Sequence, residues 1–142
     1  MSTKKLSRRS LRENIFILVF MSEFNDYSLM PEQIRKFLDD PEREADEASL
    51  EYIEKKAKEI ILREEELDDV INTYAEKWNT ERMGRVELAI FRVAVFEMLY
   101  DDDIPVSVAI NEAVELAKKY GPEDSPSFIN GILANIVREK KL

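Results

Sequence analysis

Apolar residues recur at helical spacing along most of this chain, and their pattern predicts the elements. A first helix is predicted from Ser7 to Phe24, with Ser7 as its N-cap. Its second half, Ile15 to Met21, is apolar at every position and is expected to be buried all round. Asn25 to Met30 reads as a polar turn, and Pro31 opens a short helix through Leu38. Asp39, Asp40 and Pro41 close that helix, and Pro41 to Asp46 reads as a loop. A heptad-like series follows at Leu50, Ile53, Ala57, Ile60, Glu64, Leu67, Ile71, Tyr74 and Trp78. It reads either as one coiled-coil helix or as two helices broken near Arg63 to Leu67. The charge of Glu64 on the seam favours the break.

Thr80 is the expected cap of the next helix, which runs to Tyr100. Between Val86 and Leu99 only Glu87, Arg92 and Glu97 are not apolar, so this is the predicted central helix. Asp101 to Asp103 ends it. Pro105 opens a helix whose buried stripe is Val106, Ala109, Ile110, Ala113, Leu116, Ala117 and Tyr120, with Gly121 as its stop. Ser125 and Pro126 read as cap and first-turn proline of a last helix burying Phe128, Ile129, Ile132, Leu133, Ile136 and Val137. The apolar period runs straight through Asn130-Gly131, so Gly131 is expected to allow close helix approach rather than a hairpin turn. The expected fold is all-α, about seven helices in a single domain spanning residues 1–142.

Composition narrows the chemistry. The 142 residues contain no Cys and no His, which removes thiolate nucleophiles, disulfides, the commonest general base and most zinc chemistry. An enzyme is the poor expectation, and no catalytic residue is assigned. No apolar run reaches the roughly 18 residues of a membrane span, and no small-residue cleavage site follows the basic start. A cytoplasmic protein is expected.

Charge is distributed unevenly. The net charge is −9, yet the first twelve residues hold Lys4, Lys5, Arg8, Arg9 and Arg12 and no acid. The remaining 130 residues carry 16 basic and 30 acidic groups, a net −14. Lys5, Arg8, Arg9 and Arg12 share one helical face, a pattern that points to a phosphate backbone met locally by an otherwise repelling body. Four such contacts predict a log–log salt slope of about −3 on single-stranded RNA. Phe128, in the first turn of the last helix, is the candidate to stack on an unpaired base, whereas Trp78 and Met83 read as core. Glu87, Glu97, Glu112 and Glu115 invite a di-metal reading, but such bundles pair glutamates with histidines that are missing here. Neither metal nor cofactor is expected.

The stretch VSVAINEAVELAKKYGPEDSPSFINGILANIV, from Val106 to Val137, closely resembles the C-terminal signature of the NusB family of transcription antitermination factors. SRRSLRENIFILVF near the start and KWNTERMGRVELAIFRVAVFEML in the middle match in order and spacing. The resemblance implies an all-α protein of two packed helical halves with three or four helices each. It implies a single-stranded boxA element of nascent ribosomal RNA as ligand and the small-subunit ribosomal protein NusE as partner. It also implies read-through by RNA polymerase in company with other Nus factors. The family's RNA-contacting arginines fall on Arg8, Arg9 and Arg12. A further family arginine is Ser10 here, which implies either weaker binding or a shift of work to Lys4 and Lys5. The EDS-x-x-F motif falls on Glu123, Asp124, Ser125 and Phe128, near the RNA site, with Ser127 where many members have Lys. The NusE-facing aromatic and acid fall on Phe20 and Glu87.

Three readings compete. The first is the RNA-binding antitermination factor, with a generic RNA-binding module as its weaker form. The second is a fragment of an RNA cytosine methyltransferase, disfavoured because the chain has no Gly-rich cofactor loop and no Cys nucleophile. The third is a homodimer formed along the Leu50 to Trp78 seam.

Overall fold

The computed structural model describes residues 3–142, and they form seven α-helices. These divide into two compact units, Met1–Leu62 and Arg63–Leu142. Among the described residues, no helix is long and apolar enough to cross a membrane.

The first unit contains α1 (Arg8–Met21), α2 (Met30–Leu38) and α3 (Glu47–Leu62), with α3 packed against both others. Ser7 caps α1 as the sequence predicts, its hydroxyl accepting the Ser10 N–H at 3.1 Å. The helix stops at Met21, short of Phe24, because side chains satisfy its last carbonyls: Ser22 Oγ donates to Val19 O and Asn25 Nδ2 to Met21 O. Burial of the apolar run is one-sided, not all round. Ile15, Phe16, Leu18 and Val19 are buried, whereas Ile17, Phe20 and Met21 are half-buried. Tyr27–Leu29 and Pro41–Arg43 form short 3₁₀ turns on either side of α2. The expected loop from Pro41 to Asp46 is more ordered than its composition suggests. Beyond the 3₁₀ turn, Ala45 pairs in parallel with Lys4.

The second unit contains α4 (Glu64–Tyr74), α5 (Arg85–Tyr100), α6 (Val106–Tyr120) and α7 (Ser125–Lys140). The break between α3 and α4 falls at Arg63, whose φ of −101° and ψ of 14° leave the helical region. Glu64, the polar exception on the heptad seam, has a structural use. It stands 3.7 Å from the buried Arg92 of α5, whose guanidinium also meets Asp68 through two 2.8 Å hydrogen bonds. The seam is therefore not one continuous coiled-coil stripe. The helix is interrupted, and Ile53, Ala57, Ile60, Leu67 and Ile71 are all buried within the chain.

Helix α5 is buried continuously from Leu88 to Met98, the centre that the apolar pattern predicts. It starts at Arg85 rather than after Thr80. The Asn79 side chain accepts the N–H groups of Glu81 and Arg82 at 3.0 Å, so residues 79–82 form a turn. On α6, Ala109, Ala113, Leu116 and Ala117 are buried, with Val106, Ile110 and Tyr120 at the half-buried edges. Gly121 ends α6, with φ −97° and ψ 169°, so it is extended and not left-handed. Its lack of a side chain matters for space: a Cβ there would lie 2.9 Å from Ser125 Cβ and Oγ. Gly131 does not mediate helix approach, since a Cβ at that position meets nothing within 4 Å.

Candidate nucleic-acid interface

The cationic arm is held by the backbone. The Lys4 N–H donates to Glu44 O and the Asp46 N–H donates to Lys4 O, both at 2.7 Å. Two residues on, the Leu6 N–H donates to Ser49 Oγ at 3.1 Å. Asp46 caps α3 by accepting the Ser49 N–H at 2.8 Å. Hydrogen bonds from the Ser49 side chain and backbone hold the Asp46 carboxyl below its ordinary range, with the charge of Lys5 adding to the effect and partial burial opposing it. Lys4, Lys5, Arg8 and Arg9 are exposed. Arg12 is not displayed with them, since only 7% of its surface is accessible; both Arg9 and Arg12 have interactions within the protein. The predicted helical stripe is therefore not formed: α1 begins at Arg8, which leaves Lys5 in the arm before the helix, and Arg12 lies inside, so the exposed cations are Lys4, Lys5, Arg8 and Arg9.

Further along α1, Phe20 sits between Phe16 (ring centroids 6.2 Å apart) and Phe24 (5.0 Å, edge to face). This ladder at spacing i, i+4 leaves Phe20 half-buried and Phe24 63% exposed.

The second unit brings together several of the other predicted residues. Ser125 does not cap α7; Asp124 takes that position, exposed and without a side-chain capping bond. Ser125 is fully buried and donates from Oγ to Glu87 Oε2 at 2.6 Å. That bond links the EDS motif to the acid on α5. Two of the three glycines flank it: a Cβ on Gly121 would press on Ser125, and one on Gly84 would stand 3.0 Å from Glu87 Oε1. Glu87 is half-buried, so one carboxylate oxygen is fixed by Ser125 and the group still reaches the surface.

Trp78 overturns its expected core role, with 47% of its surface exposed. α4 ends at Tyr74 and Glu76 adopts φ 55°, so Trp78 is outside the helical register that placed it on the seam. Its ring meets Phe128 edge to face at 5.3 Å, and Phe128 in turn meets the buried Phe91 at 5.8 Å. Met83 is buried as expected. Trp78 and the half-buried Phe128 border a groove of about 420 Å³ with Tyr74, Lys77, Ser127 and Asn135. The sequence pattern does not predict the Ser125–Glu87 bond, the Lys4–Ala45 pairing or the Trp78–Phe128 pair. Only the Asp46-x-x-Ser49 cap leaves a sequence signal for any of them.

These features define a class: an all-α protein whose cationic N-terminal arm stands out from an acidic chain. The NusB family model matches residues 9–138. The transcription antitermination protein NusB of Agathobacter rectalis is 46% identical over 129 residues, covering 91% of this chain and 98% of that protein. Its counterpart in Lachnoclostridium phytofermentans is 41% identical, covering 93% and 99%. The solved NusB structure from T. maritima superposes with a TM-score of 0.82 at 35% identity, covering 96% of this chain and 94% of that one. The chain belongs to the NusB family. The same fold occurs, at 23% identity and a TM-score of 0.75, in a complex of antitermination factors NusB and NusE with double-stranded RNA, covering 93% of this chain and 96% of that one.

Proposed function

We propose that this chain is an RNA-binding transcription antitermination factor that works without catalysis. With the ribosomal protein NusE it binds the boxA element of nascent ribosomal RNA as a single strand, and with other Nus factors it carries RNA polymerase through terminators. The observation that carries this reading is the exposed cluster of Lys4, Lys5, Arg8 and Arg9 at the entry of an otherwise acidic chain. Arginine suits the role because its planar fork pairs with phosphate oxygens and stacks on bases. In this reading Arg12 supports α1 from inside, and Phe128 with Asp124 contributes on the second unit, Phe128 through ring stacking. Phe20 and Glu87 face NusE, with Ser125 fixing the orientation of the Glu87 carboxylate.

The reading takes residues 1–142 as one functional domain, since the family match extends through both units. It places the chain in the cytoplasm, where transcripts emerge. The absence of His and Cys from the sequence supports a binding role over catalysis.

The test is binding of a labelled boxA RNA with and without NusE. The partner is expected to tighten binding, and Glu87→Ala to abolish the tightening while leaving unassisted binding intact. Equal affinity with and without NusE would reduce the protein to a generic RNA binder.

A further inference from the structure

We propose that residues Arg43 to Ser49 form a clamp that orders the cationic arm before a polyanionic strand arrives, with Arg43 and Ser49 as positioning residues. The inference rests on the RNA-binding reading above and adds to it a division of labour between groups that touch RNA and groups that hold them.

Three layers of contact build the clamp. The first is the parallel pairing of Lys4 with Ala45, two 2.7 Å hydrogen bonds that fix the backbone from which Lys4 and Lys5 project. The second is Ser49, a buried hydroxyl that accepts the Leu6 N–H and fixes the arm just before α1 begins. The third is Arg43, which ties the loop to two helices. Its Nε donates to Phe37 O at the end of α2, its Nη1 donates to Asn14 Oδ1 on α1 at 2.8 Å, and its guanidinium lies 3.3 Å over the Phe37 ring. Asn14 is itself fixed by donating to Ser10 O at 2.8 Å.

Between Arg43 and Ala45 the chain turns through Glu44, whose φ of 51° is an unfavourable conformation for a residue with a side chain. Glu44 O is the acceptor for Lys4, so this strained residue lies where the loop receives the arm. An N-terminal tail that served only solubility needs none of these contacts. For a ligand-gripping arm they remove conformational freedom in advance, and the entropy lost on binding falls accordingly.

The experiment uses the full chain and a fluorescent single-stranded RNA oligonucleotide. In Ser49→Ala, the Lys4 and Leu6 amides are expected to exchange faster. RNA affinity is expected to fall about fivefold while the salt slope is unchanged, because the number of cations is the same. Lys5→Ala is expected to weaken binding about threefold in the native chain and hardly at all on the Ser49→Ala background, whereas Arg8→Ala costs the same on both. A role in stability alone does not produce that difference. Faster exchange with unchanged affinity, or an equal cost of Lys5→Ala on both backgrounds, overturns the clamp while leaving RNA binding by Arg8 intact. If Arg8→Ala leaves binding unchanged in the native chain, the RNA reading itself fails and the clamp with it. Should circular dichroism show Ser49→Ala unfolded, Arg43→Lys carries the same predictions, since it keeps the charge and loses the paired donation.

Discussion

Asp46 shows how one residue serves two structural ends. Its carboxylate caps α3 and its backbone N–H completes the pairing with Lys4. Hydrogen bonding by Ser49 depresses the Asp46 pKa in the folded chain, with Lys5 reinforcing the shift. A depressed acid stabilises the fold fully above its unfolded value of about 3.9 and loses that contribution as pH falls through the folded value. An NMR titration of the Asp46 carboxyl is expected to show a midpoint below about 3.9; a midpoint above it contradicts the geometry. At this scale sequence reading succeeds where one residue's local chemistry decides. Ser7 caps α1 through a bond made within its own first turn, to the Ser10 N–H. It fails where a tertiary partner intervenes: Ser125 bonds Glu87, and Arg12, charged like its neighbours, lies inside.

Helices were legible wherever the apolar period was long. The unbroken burial of Leu88 to Met98 follows directly from the pattern, and the α3–α4 break follows from a charge on the seam. Boundaries were less legible, because Asn79 captures two amides that Thr80 was expected to organise and Glu76 takes Trp78 out of register. Gly131 illustrates a different limit: glycine inside a helix suggests close packing, yet the space beside it is open. Gly131→Ala is therefore expected to stabilise the protein by about 0.5–1 kcal/mol through helix propensity, measured as a raised midpoint in urea at unchanged slope. Destabilisation would mean that the groove beside Trp78 and Phe128 closes on that position.

On the scale of the molecule, the candidate site is carried by charge placement more than by any single residue. Composition alone makes the contrast between a +5 entry and a −14 remainder visible, while burial decides which cations reach solvent. Counting Lys4, Lys5, Arg8 and Arg9 as the displayed set gives the same expected slope as the sequence pattern did, with Lys4 in place of Arg12. The most direct test of the central claim is the salt dependence of RNA affinity for the native chain beside an Arg8→Ala/Arg9→Ala variant. The native log–log slope is expected near −2.8 and the variant slope near −1.4, about 0.7 lost per arginine. A native slope close to zero, or an identical slope in both proteins, would contradict the cationic arm as the part that grips RNA.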